Sequence, residues 1–193
     1  MKVLVTGFEP FGGDEINSSW EAVKGLPERI GTADVIKLRL PVSFRRCACP
    51  AIEAIGTHRP DAVVCVGAAG KRLEVTPERV AINVMNASQP DNDGFRPVDL
   101  PIHDDGPAAY VSTLPVKEMV ACMEGAGIPS KLSNTAGMYV CNTLMYRLLD
   151  YLSRNNSGTR AGFIHVPKTL APEELTRGLV AAIETIITKE TED

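Results

Sequence analysis

Short apolar runs alternate with stretches of helical periodicity along most of this chain, and this alternation constrains the fold more than any other feature. Residues 3–6, 62–66 and 161–166 are nearly continuous apolar runs, whereas residues 34–40 alternate apolar with charged side chains. The first type is typical of strands buried in a parallel sheet, and the second of a half-exposed strand. We therefore predict an α/β fold with a single domain over residues 1–193, in which an open, twisted, mostly parallel sheet has helices on both faces.

Helical patterns fill most of the gaps between these runs. A first helix is expected to begin after a cap at Asn17 or Ser18, with a capping box over residues 18–21, and to end near Gly25. Four further segments have helical patterns: residues 42–55, with an interruption or a restart near Pro50, and residues 115–125, 138–154 and 173–187.

Functional residues are expected in the loops that follow the strands, because open α/β sheets bind ligands at the carboxyl ends of their strands. Residues 7–13 and 67–77 are glycine-containing loops of this kind. Residues 79–85 predict a short strand, and residues 86–107 form a long connection rich in Pro, Asp, Asn and Gly. Long irregular loops in compact domains tend to be lids or binding loops.

The composition excludes several classes of protein. Hydrophobic residues make up 44% of the chain, which is enough for a full core and argues against disorder. The formal net charge is −4 without a basic block, so we expect no nucleic-acid partner. No apolar run reaches the roughly 18 residues of a membrane span, and the N-terminal run is too short for a signal peptide. We expect no membrane partner and a cytoplasmic location.

The five cysteines predict neither disulfides nor a metal site. An odd number scattered through a chain of this length is not a disulfide framework. Cys47 and Cys49 lack a second ligand pair nearby, which argues against zinc. Cys65 and Cys122 lie in an apolar strand pattern and a helical pattern, where cysteine acts as a small core residue. We expect no metal and no cofactor.

The fifth cysteine, Cys141, follows a turn that contains Gly137 and stands at the start of a helical pattern. A thiol at that end of a helix lies in the positive field of the helix dipole, which favours thiolate. A nucleophile needs a base, and the base needs an orienting group. His165, at the end of a predicted strand, and Glu78 provide this chemistry, so the three residues indicate a cysteine hydrolase.

Each of these residues also has an ordinary structural interpretation. Cys141 can be one more buried helical cysteine, and His165 can bond a backbone carbonyl at a strand end. Glu78 can pair with Arg72 or Arg79. No spacing argument joins the three residues, so their assembly depends on the fold.

More specific motifs occur at both ends of the chain and in its middle. They are residues 6–13 (TGFEPFGG), 67–70 (GAAG), 76–83 (TPERVAIN), 135–142 (TAGMYVCN) and 163–167 (FIHVP). In this order they resemble the pyroglutamyl peptidase family of cytosolic thiol peptidases. The resemblance implies an enzyme that removes N-terminal pyroglutamate from peptides, with Cys141, His165 and Glu78 as a catalytic triad.

The implied reaction runs through an acyl-enzyme. The Cys141 thiolate attacks the carbonyl after pyroglutamate, and His165 protonates the leaving amine and later activates water. Glu78 holds the imidazole in the right tautomer. The backbone N–H of Cys141 is a candidate donor to the oxyanion.

The substrate ring is a small lactam without a free ammonium, so its pocket needs apolar walls and a few polar groups. The resemblance implies Phe8 and Phe11 as walls and places Asn17 near the substrate loop. Tyr139 and Val140, beside the nucleophile, are expected to complete the pocket.

The chain departs from the family's pattern at several positions. Ala68 stands where the family often has Gln, and Ser88 and Gln89 stand where it often has Arg and an apolar residue. The segment after His165 is shortened to residues 166–172. These changes would alter the site if the loop that contains Gln89 touches substrate.

Other functions stay open at this stage. A thiol amidohydrolase for another small acyl amide would use the same triad, and a non-catalytic peptide-binding protein would keep the pocket alone. Gly7, Gly12 and Gly13 weakly suggest nucleotide binding, but their spacing is not G-x-G-x-x-G and no Walker lysine follows. The resemblance also implies a homo-oligomer, typically a homotetramer, and residues 86–107 are one candidate surface for it.

Overall fold

The computed structural model describes residues 1–190, so residues 191–193 of the predicted domain lie outside the described residues. The strands within this range are β1 Lys2–Phe8, β2 Arg29–Ile30, β3 Ala33–Leu40, β4 Ala62–Ala68, β5 Thr76–Glu78, β6 Val80–Ile82, β7 Ala109–Val111 and β8 Arg160–Val166. The helices are α1 Ser18–Lys24, α2 Cys49–His58, α3 Val116–Gly125, α4 Val140–Arg154 and α5 Pro172–Glu190. None of these helices is both long and apolar enough to cross a membrane.

Six of the strands form one sheet in the order β2-β3-β1-β4-β8-β5. β1 pairs in parallel with β3 and β4, and β4 pairs in parallel with β8. The short edge strands β2 and β5 run antiparallel to β3 and β8. β6 and β7 form a separate antiparallel pair. The predicted open, mostly parallel sheet is confirmed.

Each face of the sheet is covered by its own layer of helices. α2 and α4 pack on one face around Leu4, Val63 and Phe163. α1, α3 and α5 pack on the other face around Val3 and Val64. Successive strand residues point to opposite faces, and burying each large apolar side chain contributes roughly 1.5–3 kcal/mol. The predicted helices on both faces are confirmed.

α1 shows how the sequence positions a helix next to the site. Asn17 is its N-cap, and Oδ1 of Asn17 accepts a hydrogen bond of 3.1 Å from the backbone N–H of Ser19. The predicted capping box is wrong, because Ser18 is already the first helical residue. α1 lies close to β1 since Gly7 has no side chain: a Cβ there would lie 2.8 Å from the Cα of Trp20.

Two predicted elements differ from the structure. Of the helix predicted over residues 42–55, residues 44–48 form a turn, and α2 begins at Cys49, close to the restart predicted near Pro50. The reason is tertiary, because the carboxylate of Asp91 accepts a hydrogen bond of 2.8 Å from the Phe44 N–H. The strand predicted over residues 79–85 is shorter in the structure, where β6 covers Val80–Ile82 and pairs with β7. β2, β5 and β7 were not predicted, because strands this short show no periodicity.

The connection over residues 86–107 is irregular, yet it is attached firmly to the loop after β1. Nδ2 of Asn92 donates a hydrogen bond of 2.9 Å to Oε1 of Glu9. The N–H of Asn86 donates to the carbonyl of Met138 at 3.0 Å. These bonds place the connection beside the carboxyl end of β1 and the start of α4.

Candidate active site

The carboxyl ends of β1 and β4 and the segment that follows β8 border a cavity of about 310 Å³. The chain passes from β1 to β3 on one side of β1, whereas β4 pairs with the other side. Where the strand connections diverge in this way, they leave a crevice at the carboxyl ends of the strands, and open α/β sheets usually bind ligands there. The start of α4 and the connection that contains Gln89 complete the cavity wall.

Cys141 is the second residue of α4 and lines this cavity. The chain enters the helix through Gly137, whose φ of 78° lies in the left-handed region that glycine adopts without strain. Sγ of Cys141 packs against Gly67 at the end of β4, where an added Cβ would lie 2.9 Å from the sulfur atom. The thiol therefore occupies space that only a glycine at position 67 leaves open.

His165 lies on the same face of the sheet as this thiol. The β4–β8 register pairs Gly67 with His165, and paired residues of neighbouring strands point to the same face. The ring of Phe163 lies beside Gly67 and beside His165. Its Cζ would be 2.7 Å from a Cβ at Gly67, and its centroid is 4.8 Å from the centroid of the His165 ring. Gly67 is thus the common neighbour of the thiol and the imidazole.

Glu78 reaches the imidazole from the edge strand β5. Oε1 of Glu78 lies 2.7 Å from Nδ1 of His165, and both side chains are buried. Because β5 runs antiparallel along β8, it brings this carboxylate to the cavity end of the sheet. The structure thus brings together the three residues that the sequence analysis chose.

Arg72 is a fourth member of this cluster. Its Nη1 donates a hydrogen bond of 2.5 Å to the same Oε1 of Glu78, and its Nη2 donates to the carbonyl of Thr135 at 2.9 Å. The sequence analysis treated Arg72 only as a competing partner of Glu78, whereas both pairings coexist. Nothing in the sequence could show that one carboxylate oxygen serves both His165 and Arg72.

Burial shifts the pKa values of the thiol and the imidazole in opposite directions. It raises the pKa of Cys141 from an ordinary value of 9.0 to about 12. Burial also lowers the pKa of His165 below its ordinary 6.5, against the opposing effect of Glu78. Both shifts favour the uncharged forms of the thiol and the imidazole, whereas the dipole of α4 favours the thiolate.

All five predicted pocket residues line the cavity. The rings of Phe11 and Tyr139 pack with centroids 5.4 Å apart, and Phe8 and Val140 lie at the end of β1 and the start of α4. Asn17 has a double role, since it caps α1 and its Nδ2 donates a 2.9 Å hydrogen bond to a backbone carbonyl of the loop after β1. Its amide is therefore already engaged.

The sequence analysis missed three lining residues, Val42, Asp14 and Lys168. Nζ of Lys168 forms an ion pair with Asp14 at the cavity, and both side chains are about half exposed (48%). No signal joins two residues so far apart in the chain. Within residues 1–190, no group of three or more His, Cys, Asp or Glu side chains is arranged to hold a metal ion.

Comparison with known proteins identifies the family. A family model described as pyroglutamyl peptidase matches residues 1–187. The chain belongs to this family. The pyrrolidone-carboxylate peptidase of Thermococcus kodakarensis is 49% identical over 197 aligned positions, which cover 96% of each chain. The protein of the same name from Streptococcus pyogenes serotype M12 is 45% identical, covering 97% of this chain and 93% of the relative.

Solved structures of the pyroglutamyl peptidase family have the same fold. Pyroglutamyl peptidase I from Bacillus amyloliquefaciens superposes with a TM-score of 0.92 at 43% identity, over 95% of both chains. The pyrrolidone carboxyl peptidase of Thermococcus litoralis superposes with a TM-score of 0.94 at 34% identity, over 100% of this chain and 96% of the other. The resemblance drawn from the motifs is confirmed.

Two of the departures from the pyroglutamyl peptidase pattern lie at the cavity. Ala68, at the end of β4, and Gln89, in the long connection, both contribute to its wall. Ser88 is exposed and is not part of that wall within the described residues. The connection over residues 86–107 therefore does reach the site, as the sequence analysis required for these changes to matter.

Proposed function

We propose that this chain is a cysteine peptidase that hydrolyses the amide bond after an N-terminal pyroglutamyl residue of a peptide. The observation that carries the proposal is the buried pair of His165 and Glu78, next to a thiol that lines a cavity. Membership of the pyroglutamyl peptidase family supports the same substrate class.

The reaction begins with Cys141 and His165 both uncharged. Nε2 of His165 accepts the thiol proton as Sγ attacks the carbonyl carbon of the pyroglutamyl residue, so charge develops only with substrate in place. The tetrahedral intermediate collapses to a thioester while the imidazolium gives its proton to the leaving amine. The neutral imidazole then deprotonates a water molecule, which hydrolyses the thioester and restores the Cys141 thiol.

Glu78 and Arg72 position the base. With Nδ1 of His165 protonated and bonded to Glu78, Nε2 is left as the basic nitrogen. The Glu78 carboxylate also stabilises the imidazolium that forms during the reaction. Arg72 holds this carboxylate in place through the same oxygen.

The first turn of α4 supports an oxyanion site. Backbone N–H groups in the first turn of a helix have no intrahelical acceptor, and they point in the direction that favours an anion. Cys141 lies in that turn. We assign its N–H as a donor to the oxygen of the tetrahedral intermediate.

The cavity suits a neutral ring better than a charged amino terminus. Phe8, Phe11 and Tyr139 provide aromatic walls. The carboxylate of Asp14, which would attract an ammonium group, is already paired with Lys168. Pyroglutamate, whose ring nitrogen is an amide, needs no acidic anchor.

Release of a fluorescent amine from its pyroglutamyl amide tests the proposal, with the prolyl amide as comparison. Cys141→Ala should reduce kcat by at least about 10⁴-fold, because the nucleophile is lost. Cys122→Ala, which removes a half-buried thiol from α3, is the matched control and should keep the rate.

Persistent turnover by Cys141→Ala, or equal release from the prolyl amide, would contradict the proposal. Silence on the pyroglutamyl amide with activity on another small acyl amide would instead support the related amidohydrolase. A panel of acyl amides of the same amine therefore separates the two functions.

We also propose that the chain acts in the cytoplasm as a homo-oligomer, typically a homotetramer. The five free cysteines support a reducing compartment. Val98 and Leu100, on the long connection, are 60% and 43% exposed and are suited to a contact between copies.

Light scattering should give the mass of four chains for the unaltered protein, and Val98→Asp should give a lower mass. A monomer at micromolar concentration would contradict the proposal.

A further inference from the structure

The polar side chains around the cavity are nearly all engaged within the protein. The Asn17 amide caps α1, Lys168 pairs with Asp14, and Oη of Tyr139 donates a hydrogen bond to a backbone carbonyl at 2.9 Å. Gln89 is different. It lines the cavity and is exposed, and its carboxamide forms no hydrogen bond with other groups of the described residues.

The backbone around Gln89 is nevertheless held firmly. The carbonyl of the next residue, Pro90, accepts the hydrogen bond from Tyr139. Two residues further on, Nδ2 of Asn92 donates to Oε1 of Glu9. A free side chain on a fixed backbone can bind a ligand with little loss of main-chain entropy.

The chemistry of a carboxamide matches the edge of a lactam ring. A lactam is a cis amide, so its N–H donor and C=O acceptor point outward on the same side. A primary carboxamide carries one acceptor and two donors, and it can form two hydrogen bonds with that edge at once. Ala68, the lining residue at the end of β4, offers only a methyl group.

We propose that Gln89 is a specificity-determining residue, and that its carboxamide binds the N–H and the ring C=O of the pyroglutamyl lactam. This inference rests on the proposed function and names the group that recognises the substrate ring. A prolyl residue has a charged ring nitrogen and no ring carbonyl, so it would leave the Gln89 amide without its partners. A site built on hydrogen bonds strongly rejects analogues that lack the bonding group.

Two amides of the same fluorescent amine test this assignment. One carries the pyroglutamyl group, and the other carries the cyclopentanecarbonyl group, which has the ring but no lactam. Gln89→Met keeps the length of the side chain and removes both bonding groups. It should lower kcat/KM for the pyroglutamyl amide about 100-fold, as expected for two lost hydrogen bonds, and leave the cyclopentanecarbonyl amide within about twofold.

Ser88→Ala is the matched control on the neighbouring residue, and it should leave both substrates unchanged. Equal losses on the two substrates would mean a structural role for Gln89 and would overturn the inference. So would an unchanged preference for the lactam in Gln89→Met. If the unaltered protein fails to cleave the pyroglutamyl amide while it is folded and reduced, the proposed function itself fails, and the assignment of Gln89 fails with it.

Discussion

The missing side chain of Gly67 leaves room for the Cys141 thiol beside the strand that carries His165. Sγ of Cys141 and the ring of Phe163 fill the space where a Cβ of Gly67 would lie. His165 is the neighbour of Gly67 across the sheet. Glycine at this position is therefore required by the space that the Cys141 thiol and the Phe163 ring occupy.

Gly67→Ala should reduce kcat about 100-fold, because a displacement of roughly 1 Å at a reacting atom has an effect of that size. Overpacking should also lower the free energy of unfolding by about 1–3 kcal/mol. Hydrolysis of the pyroglutamyl amide measures kcat, and urea unfolding measures the free energy of unfolding.

The control is Gly56→Ala in α2, where an added Cβ meets no atom within 4 Å. It should leave kcat unchanged and slightly stabilise the helix. An unaltered kcat in Gly67→Ala would show that the sulfur can move aside without effect.

Arg72 bonds to the carboxylate of Glu78, which also bonds to His165, the proposed base. Its positive charge lowers the pKa of His165. In Arg72→Met the imidazolium becomes easier to form, so the neutral base is lost at a higher pH. The acidic limb of kcat/KM against pH should therefore move upward. Loss of a hydrogen bond to a buried carboxylate should also lower the free energy of unfolding by about 1–3 kcal/mol.

Arg79→Met removes a neighbouring guanidinium that is not a partner of Glu78, and its pH profile should match that of the unaltered protein. A downward movement of the acidic limb in Arg72→Met would contradict the electrostatic role of Arg72.

The sequence supports the identity of the site residues better than their contacts. Cys141 could be predicted because a helix start follows a glycine turn, and His165 because it ends an apolar run. The bond of Arg72 to Glu78 could be raised only as a competing interpretation. The upward shift of the Cys141 pKa could not be predicted, because desolvation arises only in the assembled fold.

At the scale of elements, α1 provides a clear test of local energetics. Asn17→Ala removes the side chain that accepts from Ser19 and should lower the free energy of unfolding by about 0.5–2 kcal/mol. Ser18→Ala, one residue inside the helix, should change it by less than about 0.5 kcal/mol. Urea unfolding compares the two. A larger effect at Ser18 would mean that it, and not Asn17, caps the helix.

The success of the prediction differs between elements for a physical reason. β4 and β8 were predicted because both faces of each strand are buried, which makes their sequences continuously apolar. β5 was not predicted, because Thr76–Glu78 has no such pattern and gains its strand structure by pairing with β8. His165 lies on β8 and Glu78 lies on β5. Sequence periodicity could therefore predict the strand that carries His165 but not the strand that carries Glu78.

For the molecule as a whole, buried thiols predict an alkaline limit of stability. Burial raises the pKa of Cys47 and Cys65 to about 12. Above an unfolded-state pKa of about 8.5, the unfolded chain loses these protons while the folded chain keeps them. Their contribution to stability is therefore complete below that pH and is lost as the pH rises towards 12. Each thiol should lower the free energy of unfolding by about 1.4 kcal/mol per pH unit over much of that interval.

Urea unfolding between pH 7 and 10.5 measures this slope. Cys65→Ala should reduce the slope by about one thiol's contribution, roughly 1.4 kcal/mol per pH unit. Cys49→Ala removes an exposed thiol and should leave the slope unchanged. A slope that is the same in both variants would contradict the effect of burial.

The strand order has a consequence for protein synthesis. β8 is the last strand in the sequence, yet it lies between β4 and β5 and carries His165. A growing chain emerges from the ribosome with its N-terminus first. Until β8 has emerged and inserted, the proposed triad lacks His165. A nascent polypeptide without β8 therefore lacks its proposed base, and the topology of the sheet ties activity to completion of the fold.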